Sequence, residues 1–71
     1  MSKHTVLTTE TVYHFVHDYI QAHRIAPSIR EIAEGTYIGR STVVRHLDRL
    51  EALGRIIRTP GRARSIRLLT H

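Results

Sequence analysis

Cysteine is absent from this 71-residue chain, so neither a disulfide framework nor a cysteine zinc site can hold so small a fold together. Helices and a modest core must suffice. No apolar run approaches membrane-spanning length, and the N-terminus has neither the charged nor the apolar region of a signal peptide. The expected address is therefore the cytoplasm, with no membrane partner. Paired carboxylates, a nucleophile with a neighbouring base and a glycine-rich phosphate loop are also missing, and a chain this short cannot enclose a substrate cavity and a full core together. The sequence predicts one domain over residues 1–71, no enzyme and no cofactor.

Acids are scarce where bases are dense. Residues 1–39 carry Lys3, Arg24 and Arg30 against Glu10, Asp18, Glu31 and Glu34, a balance of −1. Residues 40–71 carry eight arginines against Asp48 and Glu51, a balance of +6, and the two halves sum to the formal charge of +5. Arginine throughout the second half favours a phosphate-rich partner, because the guanidinium fork fits phosphate oxygens and the guanine edge. The plainer reading is a solvated face that aids solubility, so the arginines have to be weighed with the motifs around them.

A first helix is expected over about 9–23. Residues 1–7 read as a short lead-in, with Val6 and Leu7 able to fold back as a hydrophobic staple. Thr8 or Thr9 would open the helix, with Glu10 in a first turn where the helix dipole favours an acid. Val12, Phe15, Val16, Tyr19, Ile20 and His23 follow the three-and-four spacing of a core-facing stripe, and the helix stops before Pro27. His14 and His17 lie one turn apart, with Asp18 four residues after His14, a spacing that permits metal ligands. No other segment supplies a matching pair, so they read as a polar flank and no metal is expected.

Ser28 and Glu31 have capping-box spacing, each able to satisfy a backbone donor of the other, and they open a second helix over about 29–36 that buries Ile29, Ile32 and Ala33. Tyr37, Ile38 and Gly39 then form a tight connection, with Ile38 turned inward. The run from Ile32 to Val43 resembles the helix-turn-helix of many bacterial regulators. In that motif the place of Tyr37 usually holds glycine because the backbone there often takes positive φ, so a strained or rearranged turn is expected.

The third helix, about 42–53, has two faces. Val43, Leu47 and Leu50 make an apolar stripe, while Ser41, Arg45, Asp48 and Ala52 point the opposite way, flanked by Thr42, Val44 and Arg49. Ser41 suits the N-cap, and Gly54 can take the left-handed conformation that ends a helix. After Gly54 the period becomes extended. Arg55–Thr59 and Ser65–Leu69 are strand candidates joined through Pro60 and Gly61, giving a β-hairpin over about 55–69 with Arg62 and Arg64 in its loop. Such a loop is a wing.

Three helices and a wing in this order resemble the LexA repressor N-terminal DNA-binding domain family over Leu7 to Leu69. The resemblance is carried by Leu7-Thr8, Asp18-Tyr19-Ile20, Pro27-Ser28-x-x-Glu31-Ile32-Ala33, His46-Leu47-x-x-Leu50, Gly54-Arg55-Ile56-Ile57 and Ser65-Ile66-Arg67-Leu68-Leu69. It implies a domain that represses transcription by occupying an operator, usually as a dimer. Three departures stand out. The segment between Leu7-Thr8 and Asp18 is shorter than in LexA. The recognition stretch, a Ser-Pro-Asn-Ala-Ala-Glu-Glu-like run in LexA, here reads Arg40-Ser41-Thr42-Val43-Val44-Arg45, which implies another operator. The self-cleaving peptidase domain of LexA has no counterpart in these 71 residues, so autoproteolysis does not carry over.

The expected fold is mainly α with a small β-hairpin, a three-helix winged helix-turn-helix. The expected function is sequence-specific binding of double-stranded DNA in transcription regulation, with a homodimer on a palindromic operator as the arrangement the resemblance suggests. Arg40, Ser41, Thr42, Val44, Arg45 and Arg49 are the expected recognition-helix contacts, Arg62 and Arg64 the wing contacts, and Ser28 and Arg30 additional phosphate contacts at a helix N-terminus. The rivals are a winged-helix protein-interaction module, which predicts an exposed apolar patch and weak salt dependence, and a non-specific architectural DNA-binding protein. RNA binding would be favoured by aromatics on the basic face, but Tyr13, Phe15 and Tyr19 fall on the first helix and Tyr37 in the turn.

Overall fold

The computed structural model describes residues 3–69, with side chains from Thr8 onward. Three helices, α1 Lys3–His23, α2 Ile29–Thr36 and α3 Arg40–Ala52, precede two short strands, β1 Ile56–Ile57 and β2 Arg67–Leu68. This is the expected mainly α architecture with a small antiparallel hairpin, a winged helix-turn-helix.

Helix α1 begins at Lys3, well before the expected Thr8 or Thr9. Neither glycine nor proline occurs from Lys3 to Thr9, so nothing breaks the helix there. Thr9 is consequently an interior position: it is 3 % exposed, and its hydroxyl lies 2.8 Å from His46 Nδ1. Glu10 falls beyond the first turn, which holds no acid, and pairs with Arg55 instead. The staple expected of Val6 and Leu7 lies outside the described side chains.

Val12 and Val16 are fully buried, with Tyr13, Phe15 and Ile20 packed around the core's edge. The stripe leaves the core at its end: His23 is exposed, and its ring stacks on half-buried Tyr19 with centroids 4.2 Å apart. There the chain leaves the helix through Arg24, whose φ is 63°, with its N–H on the carbonyl of Ile20 at 2.9 Å.

The capping box forms as the spacing demands. Ser28 Oγ accepts the N–H of Glu31 at 3.1 Å, and Glu31 Oε1 accepts the N–H of Ser28 at 2.8 Å. Ile32 is fully buried, whereas Ile29 is 37 % exposed, because the first residue of α2 points outward along a groove shared with the wing. Gly35 answers to packing: a Cβ there would stand 2.1 Å from Phe15 Cε2, so only glycine lets α1 approach α2 this closely.

The N-cap of α3 is Gly39, not Ser41, and no side chain caps it. Gly39 already has extended backbone angles and accepts the N–H of Val43 at 2.9 Å, which places Ser41 inside the first turn. The other end closes on Gly54 at φ 74°. Its N–H reaches the carbonyl of Glu51 and that of Arg55 reaches Leu50, both at 3.0 Å, the paired bonds of a Schellman ending.

The hairpin pairs Ile56 with Leu68 and Ile57 with Arg67. Its ladder is shorter than the five-residue strands expected. Ser65 Oγ bonds both the N–H of Thr59 at 3.1 Å and its carbonyl at 3.2 Å, taking the place of backbone pairing, and Arg64 leaves the extended region at φ 55°. Ile56 and Ile66 carry the wing into the core, joining Val12, Val16, Ile32, Val43, Leu47 and Leu50. Full burial of each such side chain contributes about 1.5–3 kcal/mol, so the wing is built into the fold.

Candidate nucleic-acid interface

Helix α3 turns Val43, His46, Leu47 and Leu50 inward. Arg40, Ser41, Thr42, Arg45 and Asp48 are exposed on the other side, with Val44 and Arg49 half-buried at its edges. The six expected recognition-helix residues thus share the solvent side of one helix. At 100° per residue, Arg40 and Val44 lean to one flank and Thr42 and Arg49 to the other, with Ser41 and Arg45 between them.

The two acids of α3 are both bound by an arginine of the wing. Arg58, at the start of the wing, binds Asp48 and also holds Glu51, with Nη2 at 3.0 Å and Nε at 3.1 Å from Oε1. Burial opposes the charge on Arg58, but its hydrogen bonds to Asp48 and Glu51 outweigh that and raise its pKa above the ordinary arginine value. The negative charge of the helix is thereby neutralised from the wing side. Arg45 has no ion-pair partner among the described residues. Arg58 was not among the expected site residues, since nothing in its local pattern ties it to carboxylates ten and seven residues earlier.

A groove of about 700 Å³ runs beside α3, between its Thr42, Arg45, His46 and Arg49, the α2–α3 turn and Thr8 and Thr11 of α1. The turn contributes Tyr37, which itself takes the left-handed conformation, φ 59° and ψ 32°. The positive φ expected of this position is therefore present without glycine. The N–H groups of Tyr37 and Ile38 both bond the carbonyl of Ala33, the latter at 3.3 Å, and Ile38 packs inward on the core.

The wing loop turns at Pro60-Gly61, with Gly61 at φ 77° and the N–H of Arg62 on the carbonyl of Thr59 at 3.2 Å, as in a type II turn. Arg62 projects into solvent. Arg64 reaches back to α2, 2.8 Å from Glu31 Oε1 and 3.1 Å from the carbonyl of Ala26. The hydrogen bond from Arg64, then the N–H of Ser28 and the hydroxyl of Tyr19, outweigh desolvation and lower the Glu31 carboxyl to about 2. Ser28 is engaged in the capping box, and Arg30 pairs along its own helix with Glu34 at 3.2 Å. The start of α2 is thus brought against the wing, while the Tyr37 groove opens on the other flank of α3.

At the far side, Arg55 ties the wing base to α1. It binds Glu10 and lies over the Tyr13 ring, 3.9 Å from its centroid. His14 and His17 turn to different carboxylates, His14 3.8 Å from Glu10 and His17 3.1 Å from Asp18.

A family model described as the LexA DNA binding domain matches residues 4–65. The chain is 38 % identical over 63 residues to a LexA repressor of Clostridium tetani, covering 87 % of this chain and 32 % of that protein. It is 39 % identical over 62 residues to a LexA repressor of an Exiguobacterium species, covering 86 % of this chain and 30 % of the relative. For a LexA repressor of Moorella thermoacetica the identity is 38 % over 60 residues, 83 % of this chain and 29 % of the relative. The chain spans about a third of the length of the curated relatives it matches.

Proposed function

We propose, from the premise that this chain belongs to the LexA DNA binding domain family, that it binds double-stranded DNA sequence-specifically and regulates transcription by occupying an operator as a repressor. It acts by occupancy, without catalysing a reaction. The observation that carries this reading is Arg45, exposed on α3 opposite the buried stripe, while Arg58 takes up both acids of the same helix. A major-groove helix needs that polarity: guanidinium toward base edges and no carboxylate left to repel phosphate.

In this arrangement the first half of α3 enters the major groove. Arg40, Ser41, Thr42 and Arg49 contact phosphates or base edges, Val44 meets a thymine methyl, and Arg45 reads guanine. Arg62 contacts the backbone or a narrow minor groove, and Arg64, paired with Glu31, holds the wing in place and contacts the same strand beside it. Ser28 and Arg30 add phosphate contacts at the N-terminus of α2. Two copies on a palindrome would read half-sites about 34 Å apart, a spacing compatible with a domain 32 × 28 × 24 Å across. The working location is the cytoplasm, where DNA is accessible; no helix of the described residues is long and apolar enough to cross a membrane.

Selection from random duplex DNA at stated salt tests the proposal. Enrichment of a motif, with affinity falling steeply as salt rises, is the expected result. Salt-dependent binding without enrichment would replace it with architectural DNA binding, and no duplex binding at any salt would leave a protein-docking module as the better reading.

A further inference from the structure

Tyr37 joins two properties that the interface described above does not use. Its backbone lies at φ 59° and ψ 32°, a left-handed conformation that costs a residue with a side chain more than it costs glycine. Its side chain is 96 % exposed, so no burial within the chain offsets that cost. The turn that ends α2 sets this conformation, which glycine would meet at less cost, so the exposed tyrosine side chain is the feature that calls for a partner outside the chain.

The surroundings say what that partner is. The groove beside Tyr37 is walled by Thr42, Arg45 and Arg49 of α3 and by Thr8 and Thr11 of α1, and no carboxylate lines it among the described residues. Hydroxyl donors with guanidinium groups are the chemistry of phosphate recognition. The groove shares Thr42, Arg45 and Arg49 with the expected recognition contacts of α3, which suits a nucleic-acid strand held by that helix better than a small anion. The phenol hydroxyl of Tyr37 has no partner among the described residues, and so remains available to donate.

We propose that Tyr37 is a DNA-backbone contact, its hydroxyl donating to a phosphate oxygen of the strand that runs between the α2–α3 turn and the α1 wall of this groove. The proposal rests on the DNA-binding reading and adds to it a residue and a second wall. A neutral donor has a distinctive signature. Losing it weakens binding but displaces no additional counterion, so the slope of log K against log salt stays where it was.

The test compares the parent with Tyr37→Phe and Tyr37→Gly in duplex binding at several salt concentrations, in thermal melting and in sedimentation. Tyr37→Phe keeps the ring and backbone; it should weaken binding about tenfold with Tm and salt slope unchanged. Tyr37→Gly relieves the backbone and should raise Tm by about 4 °C while weakening binding at least as much. A parent that binds duplex DNA, with both variants binding equally well, sinks the Tyr37 contact alone. A parent that does not bind duplex DNA sinks the DNA reading and this contact with it. Variants that change the sedimentation coefficient but not Kd would make Tyr37 a self-association residue and overturn the proposal.

Discussion

Arg64 and Glu31 stand 2.8 Å apart across 33 residues of sequence and clamp the wing to the first turn of α2. At φ 55° Arg64 turns the loop back on α2, and its guanidinium there meets both Glu31 and the carbonyl of Ala26, contacts that offset the cost of that conformation. It also joins two parts of the expected interface, the start of α2 and the wing.

The clamp sets an acid dependence. Glu31 has a folded pKa of about 2, below the ordinary glutamate value of about 4.3. A carboxyl depressed by folding stabilises the native state fully above its unfolded pKa and loses that contribution as pH falls through the folded one. Stability should therefore fall from about pH 4.3 toward pH 2, and Glu31→Gln should start lower and show a shallower fall over that window. Thermal melts at pH 5, 3.5 and 2 check this; equal slopes for parent and variant would remove Glu31 as the titrating group.

A second pH dependence lies nearer neutrality. His46 is 8 % exposed, with Nδ1 2.8 Å from the Thr9 hydroxyl. Burial first, and the charge of Arg49 second, lower its pKa below the usual histidine value. The folded state thus favours neutral His46, so the stabilisation is complete above about pH 6.5 and lost as pH falls through the lowered folded value. Urea midpoints at pH 8, 6.5 and 5 should decline for the parent, and less so for His46→Gln, whose amide can still reach Thr9. An identical decline in the variant would move the effect to another group.

The third expectation concerns Arg58. Replacing it with alanine removes one cation, but it also releases Asp48 and Glu51 to face DNA or to capture Arg45 and Arg49 along α3. Arg58→Ala should thus weaken duplex binding more than Arg62→Ala, which removes a solvent-facing wing charge and lowers the salt slope by about 1. Matched salt titrations of the two variants measure the difference. Equal losses would mean that the acids of α3 do not influence the interface.

These pairings mark the boundary of what one sequence discloses. Val12, Val16, Ile32, Leu47 and Leu50 were legible because helical spacing sorts inward from outward positions locally, and the Ser28–Glu31 box because both partners sit within one turn. The turn at Tyr37 was legible as a place needing positive φ. Arg64 with Glu31, Arg58 with Asp48, and Thr9 with His46 were not, because each joins separate elements and a pattern of residue types carries no distance between them. His46 sits beside the apolar stripe and reads equally well as a polar flank until Thr9 is seen across from it. The strands were expected too long for a related reason: Thr59 and Ser65 suit extended backbone, yet here a hydroxyl does the bridging.

Arg45 is expected to be the main base reader. Helical spacing places it nearly opposite Val43, Leu47 and Leu50, in the first half of α3, the part that enters the major groove in this motif. The alternative, an arginine spent on a surface pair with Asp48, is disfavoured by the geometry, because Asp48 is bound by Arg58 and exposed pairs contribute little in any case. Its guanidinium can engage the O6 and N7 of guanine in a bidentate way, so one G·C pair in each half-site should matter by about 1–3 kcal/mol. Arg45→Ala should keep the parent's melting temperature, since the side chain is exposed, and retain most non-specific affinity while losing preference at that base pair. Sequence logos from parallel selections on parent and variant decide the matter. If the two logos coincide, Arg45 is a phosphate contact, and Arg40 or Arg49 becomes the residue to test for base readout.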